Sequence, residues 1–310
     1  MPDHTLMPLP ADTRLIDLLH LGRPHVIATY LLLGDQPALI DPGPASTLAT
    51  MEAGLAAHGL VLGDIQTILL THIHLDHAGA TGTLLRRYPH LRVYVHARGA
   101  PHLVAPEKLI LSATRLYGDA MQRLWGPILP VPEQAINVLS GGETLRIGER
   151  ALHVYDAPGH ASHHVIYFDA HSGAAWVGDT GGACRPGAAV ARPATPPPDI
   201  DIEAWGRSLD MLRALDPSAL LLTHFGPAYQ PSAYIEDYRT ALLDWAEIVR
   251  IGLASGADEA TQIAQLNQVA QTSLGPAASA EDATLYEQAS STALSWQGLA
   301  RYWRKRAERP

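Results

Sequence analysis

The run Thr67-Ile68-Leu69-Leu70-Thr71 leads without a break into His72-Ile73-His74-Leu75-Asp76-His77. The first five residues, apolar and rich in β-branched side chains, read as a buried strand. The next six carry four side chains able to bind a metal ion. In an extended segment positions 72 and 74 point to the same side, so both imidazoles can meet one ion. The chain then turns, letting Asp76 and His77 face a neighbouring point, and the small residues Ala78-Gly79 open a helix close by. A solvated His-rich loop would not need an aspartate at this spacing. The run predicts a metal site at a strand end.

Three further residues share that local context. His160 follows a strand over 151–156 through Ala157-Pro158-Gly159, Asp179 follows Ala175-Trp176-Val177-Gly178, and His224 follows Leu220-Leu221-Leu222-Thr223. Strand ends are rigid and converge on one edge of a sheet, as a preorganised site requires. Ile68-Leu69-Leu70-Thr71-His72 also recurs as Leu220-Leu221-Leu222-Thr223-His224, a short internal echo.

The remaining chain falls into two groups of strands, each followed by helices. Residues 25–33 and 37–40 read as a hairpin ending in Asp41-Pro42-Gly43. Residues 45–59 and 78–88 read as helices, and 91–96 as a strand. Residues 97–132 form a long, helical, proline-punctuated connection, the kind that becomes a pocket wall or lid. Strands at 143–147, 151–156, 164–169 and 174–178 follow, then a helix over 201–214 and a strand at 219–223. This order predicts two sheets sandwiched between helices. Beyond Pro231 the pattern is helical. Ile235, Tyr238, Leu242, Trp245 and Val249 form one apolar stripe. Tyr286, Ala289, Ala293, Trp296, Ala300 and Trp303 form another along a single last helix, with Ser279 and Asp282 as its capping box. The stripes predict docking against the protein body, with pairing into a homodimer as the alternative.

The 310 residues are 47% hydrophobic and 17% charged, with a formal net charge of −9. That supports a sizeable core and excludes wholesale disorder. The acidic balance and the lack of a long basic arm argue against nucleic acid as a partner. No apolar stretch reaches about 18 residues, which argues against a membrane span. Residues 1–14 lack the basic-then-apolar order of a secretory signal, so a cytoplasmic location is expected. The single cysteine, Cys184, excludes an intrachain disulfide and a Cys-cluster metal site. Its expected role is that of a small buried hydrophobe.

At these residues the chain resembles the metallo-β-lactamase fold family, whose signature is an H-x-H-x-D-H run plus a later His, Asp and His. The resemblance covers roughly residues 13–230 in order. It implies an α/β fold, a four-layer αββα sandwich with metals at the edge between the sheets. The catalytic domain would be 1–230, with 97–132 as substrate-pocket wall or lid and 231–310 as a C-terminal helical extension. It also implies two divalent ions, zinc foremost, with manganese or iron as alternatives. His72, His74 and His160 would hold the first, Asp76, His77 and His224 the second, and Asp179 would bridge them. Asp41 would support the metal loop from behind. His163 and His164 rival His160, but the Pro-Gly pair before His160 matches the family pattern. Asp179 in place of a cysteine, together with His77, resembles the glyoxalase II-like branch of thioesterases, lactonases and relatives.

Two divalent ions make a clamp that generates a nucleophile and steadies a developing oxyanion. Five neutral imidazoles, two carboxylates and a bridging hydroxide leave a net charge of about +1, so bound water titrates near pKa ~7. Asp76 is placed to take its proton, as the catalytic residue. This chemistry predicts a metal-dependent hydrolase of a small ester, thioester or lactone. In segment 97–132, Arg98, Lys108, Arg115 and Arg123 are candidates to hold a substrate carboxylate, with Tyr117 and Trp125 as apolar walls. Two other readings share the motif. One is a phosphodiesterase or nuclease on the same site. The other is a mononuclear non-haem iron dioxygenase of the persulfide dioxygenase type, which uses the first-site ligands alone. Seven filled positions favour two metals.

Overall fold

Two six-stranded mixed sheets stack face to face. The first holds β1 (Thr13–Asp17), β2 (Ala28–Leu32), β3 (Ala38–Ile40), β4 (Thr67–Leu69), β5 (Arg92–His96) and β6 (Ile136–Leu139), in that spatial order. The second holds β7 (Thr144–Ile147), β8 (Arg150–Asp156), β9 (Val165–Asp169), β10 (Ala174–Trp176), β11 (Ala219–Leu222) and β12 (Gly226–Ala228), again in sequence order. From β3 to β6 the pairs are parallel, as is β10 with β11. Each parallel pair needs a crossover, and helices supply most of them. They are α1 (Leu48–Ala57), α2 (Leu75–Ala78), α3 (Thr81–Arg87), α4 (Ala100–Val104), α5 (Glu107–Tyr117), α6 (Met121–Trp125) and α7 (Ile202–Ala214). The chain closes with α8 (Pro231–Ser255), α9 (Glu259–Ser273), α10 (Ala280–Ala289) and α11 (Thr292–Ala307). This computed structural model describes residues 9–10, 12–185, 190–276 and 278–308, so most of the stretch read for a secretory signal lies outside it.

The alternation of side chains along each strand divides the core into three layers. Between the sheets, Tyr30, Leu32 and Ile40 meet Val154, Tyr167 and Trp176. On the outer face of the first sheet, Leu31, Leu39 and Ile68 pack with Met51, Leu55 and Leu84. On the outer face of the second, Ile166 and Leu220 pack with Trp205, Leu209 and Tyr238. This is the expected αββα sandwich.

The internal echo has a structural counterpart. Tyr30 Oη donates to the Leu222 carbonyl and Tyr167 Oη to the Leu70 carbonyl, each at 2.8 Å. Ala28 N donates to Thr223 O and Val165 N to Thr71 O, also at 2.8 Å. The ends of β4 and β11 are thus tied to the opposite sheet by matching bonds.

Several elements differ from the sequence expectation. β6 has half-buried and exposed residues and no apolar alternation, and β12 contains Pro227 at a sheet edge, where a missing N–H is tolerated. The helix expected over 78–88 is two short helices and begins earlier, at Leu75. The single last helix is likewise two. Ser290 breaks the helical path and the Ser291 side chain caps α11, while the Ser279–Asp282 capping box opens α10 as read. Ile235, Tyr238, Leu242, Trp245 and Val249 are buried in the body with Trp296 and Ala300. Among the described residues no helix is long and apolar enough to cross a membrane.

Candidate metal centre

The seven sequence-predicted ligand residues meet at one edge of the sandwich. His72 lies just beyond β4, His74 precedes α2, and Asp76 and His77 occupy its single turn. His160 follows β8, Asp179 sits in the tight turn Gly178–Gly181 after β10, and His224 follows β11. The backbone at His74 is extended (φ −60°, ψ 153°), in keeping with the expected geometry over 72–74. β4 itself ends at Leu69, α2 begins at Leu75, and the His72 and His74 rings lie 4.5 Å apart in between. His72, His74, His160 and Asp179 place ligand-type atoms within 4.8 Å of one another, and Asp76, His77 and His224 do the same. Asp179 faces both groups. Its Oδ2 is 3.4 Å from His160 Nε2, and its Oδ1 is 3.1 Å from His77 Nε2 and 3.5 Å from His224 Nε2. Asp76 Oδ2 lies 3.2 Å from His224 Nε2.

A second set of bonds orients these groups. The buried Asp41 carboxylate accepts from Thr71 N at 2.8 Å, Thr71 Oγ1 at 2.7 Å and Thr223 Oγ1 at 3.0 Å, and meets His77 Nδ1 at 2.7 Å. His160 Nδ1 faces the Ala194 carbonyl at 2.8 Å, and His224 Nδ1 faces that of Val26 at 2.7 Å. A proton on each Nδ1 leaves Nε2 as a lone pair aimed inward, the arrangement used by metal-ligating histidines. Accordingly Nε2 of His72, His77 and His224 and Oδ1 of Asp179 are buried with no hydrogen-bond partner. Buried polar atoms without partners are rare. Four acceptor atoms converging on one space fit a cation.

The electrostatics point the same way. Burial first, then the neighbouring imidazoles, holds His72 well below its ordinary value and brings His74 to about 3. Burial also lowers His160. For His77 burial acts downward, but Asp179, Asp76 and Asp41 outweigh it and raise the group well above its usual range. His224 is raised against burial by Asp179 and Asp76. Burial would raise both Asp76 and Asp179, yet His77 foremost, with His224, holds each carboxyl well below the usual range. The two carboxylates stay charged and draw positive charge to their side of the site.

His164 is a neighbour of this centre and outside both groups. It accepts from Asp179 N at 3.1 Å and faces Thr180 Oγ1 at 3.3 Å, which steadies the Asp179 turn. His163 lines the adjoining cavity instead. Cys184 is buried, donates to the Phe225 carbonyl at 2.6 Å, and is pushed by burial up to about 12, so it serves as packing. Gly159, with φ +149°, sets the entry to His160, and a Cβ there would collide with Trp205. Gly159→Ala is expected to cost about 1–3 kcal/mol by overpacking and to displace His160; denaturant unfolding and metal content read both effects.

A cavity of about 860 Å³ opens on the centre through His74, Asp76 and Asp179. Arg98, Lys108, Tyr117 and Trp125 line it as expected. Arg115 does not: it is exposed with Leu111 and Thr114 on the outer face of α5, because Ala113 anchors the opposite face against Leu75 and Trp125. Arg123 is exposed as well. Sequence reasoning missed His20, stacked on Trp125 at 5.5 Å, and the lining residues Pro196, Pro197, Ala293 and Leu294. None carries a local signal, since each reaches the cavity only through long-range folding.

The sequence model of the metallo-beta-lactamase superfamily matches residues 22–224, about two-thirds of the chain. The chain belongs to the metallo-beta-lactamase superfamily. Members bind divalent metals and act as hydrolases, and this chain is an enzyme of that kind. A metallo-beta-lactamase fold-containing protein of Sulfurisphaera tokodaii is 26% identical over 66% of this chain and 74% of its own. A hydroxyacylglutathione hydrolase of Synechococcus is 31% identical, over 46% of this chain and 43% of its own. The crystal structure of a metallo-beta-lactamase family protein from Thermus thermophilus shares the fold, with a TM-score of 0.69, 23% identity, and coverage of 97% of this chain and 95% of that one.

Proposed function

We propose that the enzyme hydrolyses an ester, thioester or lactone of a small molecule at a binuclear centre, with zinc as the preferred ion. The observation that carries this reading is the pair of ligand groups sharing the Asp179 carboxylate. His72, His74 and His160 would hold one ion and Asp76, His77 and His224 the other, with Asp179 between them. Nitrogen and oxygen donors without a thiolate suit zinc and also admit manganese or iron. Bound there, such a pair supplies Lewis acidity toward a carbonyl oxygen and a water-derived nucleophile at neutral pH.

The chain's own residues do the rest. The Nδ1 bonds to Asp41, Ala194 and Val26 keep three imidazoles in the tautomer that presents an unprotonated Nε2 lone pair to the site. Asp76, anionic and with its side chain 23% exposed, lines the cavity and would take up the attacking water's proton. Hydrolysis breaks the acyl C–O or C–S bond and joins the water oxygen to the acyl carbon. It releases a carboxylate, an alcohol or thiol, and a proton. The likeness to hydroxyacylglutathione hydrolases supports an acyl substrate.

Elemental analysis of untagged protein, purified without added metal or chelator, is expected to give about two equivalents per chain. Metal-loaded protein should then cleave members of an ester, thioester and lactone panel. A single equivalent of iron with oxygen consumption on a persulfide would overturn the proposal. So would cleavage of phosphodiesters alone.

A further inference from the structure

The cavity has two walls from distant parts of the chain, the first apolar and the second mixing apolar residues with Gln288, Ser291 and Gln297. Leu109, Ala113, Leu116 and Trp125 of the α5–α6 segment form one, and Ala289, Ala293 and Leu294 at the α10–α11 junction form the other. Helix α11 is two-faced. Trp296, Leu299 and Ala300 are buried in the body, while Ala293, Leu294 and Gln297 are half-buried and line the cavity.

The junction wall is held rigidly. Arg192, buried over the rings of Trp245 and Tyr286 at 5.6 and 5.9 Å, pairs with Glu287 at 2.7 Å and donates to the Thr292 hydroxyl. Glu287 also accepts from Thr292 N at 2.8 Å and Thr292 Oγ1 at 2.7 Å. Ser290 Oγ donates to Pro193 O at 2.6 Å and Thr195 Oγ1 to Ser295 O at 3.2 Å. At Gly298 the helix rests directly on the backbone at Thr195 and Pro196, leaving no room for a Cβ. Glu287, the one acidic group on this wall, is thereby already neutralised. Further polar lining lies at Arg98, whose Nη1 donates to Ser162 O at 3.1 Å, and at Ser162, whose N donates to Asp199 at 2.9 Å, beside His163.

At about 860 Å³ the cavity sits near the top of the range of about 300–1,000 Å³ usual for small-molecule sites. That exceeds the needs of a reacting carbonyl alone. We propose that the substrate's acyl part is an extended apolar chain seated between α5–α6 and the α10–α11 junction, and that Ala293 and Leu294 set its length limit. The polar leaving part then lies toward Arg98. This inference rests on the hydrolase reading above and names its substrate class.

The test uses metal-loaded, full-length protein and p-nitrophenyl acetate, hexanoate and decanoate. Wild-type kcat/KM should rise along the series by up to about fourfold per buried methylene. Ala293→Trp narrows the wall and should lower the decanoate-to-acetate ratio by about tenfold or more. Leu294→Ala widens it and should move the preferred length upward. A wild type indifferent to chain length overturns the inference, as do variants that slow all three esters in parallel. Calorimetric titration with sodium decanoate, against sodium acetate, reads the chain seat without turnover. Decanoate binding that Ala293→Trp weakens supports the seat even if no member of the ester, thioester and lactone panel is cleaved, an outcome that would refute the hydrolase reading instead. Ester turnover with no preference for decanoate in either assay refutes the seat alone.

Discussion

Asp179→Ala is expected to leave a folded protein that has lost tight binding of at least one metal and nearly all turnover. The two carboxylate oxygens of Asp179 face different imidazole groups, His160 on one side and His77 and His224 on the other. Alanine removes the anion that, among the described residues, faces both groups. The fold should persist, because the turn is held by main-chain bonds that do not use the carboxylate, Thr180 N to Val177 O at 3.1 Å and Asp179 N to His164 at 3.1 Å. Removing a single preorganised oxyanion-hole donor costs about 10²–10³ in rate. A residue positioning both ions should exceed that range. Elemental analysis, turnover and circular dichroism on one preparation check the three parts, and two metals still tightly bound would sink the bridging role.

Asp41→Ala should damage both stability and metal affinity. Asp41 touches neither cavity nor substrate. It gathers Thr71 from the end of β4, Thr223 from the end of β11, and His77, so its carboxylate joins the two sheets directly behind the site. Removing it strands four buried partners, each costing about 1–3 kcal/mol when left unsatisfied. Partial relaxation of the threonine hydroxyls leaves an expected net loss of about 3–5 kcal/mol. Loss of the His77 partner should weaken metal binding by about 10–100-fold. Denaturant unfolding in chelator separates the first effect from the second, which competition with a chromophoric chelator measures. Unchanged unfolding in chelator would show that Asp41 does not join the sheets.

How much of this was legible in the sequence follows from how local each feature is. His72, His74, Asp76 and His77 lie within six residues, so composition and spacing display them at once. His160, Asp179 and His224 each end an apolar strand, and strand ends on one sheet edge have few places to go. The echo of 68–72 in 220–224 is the trace of two strand ends that meet the same aspartate. β6 and β12 leave no mark, because they are only four and three residues long and neither alternates apolar with polar residues.

Arg115 and Lys108 share a helix and a charge, yet only Lys108 lines the cavity. The rotation of α5 about its axis decides this, and it is set by Ala113 packing against Leu75 and Trp125. The break at Ser290 was hidden because the large-small alternation from Tyr286 to Trp303 runs through it without interruption. The amino-acid sequence by itself determined the sandwich and picked out the candidate ligand residues, because contiguous metal-binding side chains and apolar strands obey local rules of spacing and burial. Only the tertiary structure decided that the C-terminal helices wall the cavity. Residues 289–294 come to line the same cavity as residues 109–125 through the burial of Trp296, Leu299 and Ala300 against α7, α8 and α9, and that partner surface exists only once the rest of the chain has folded.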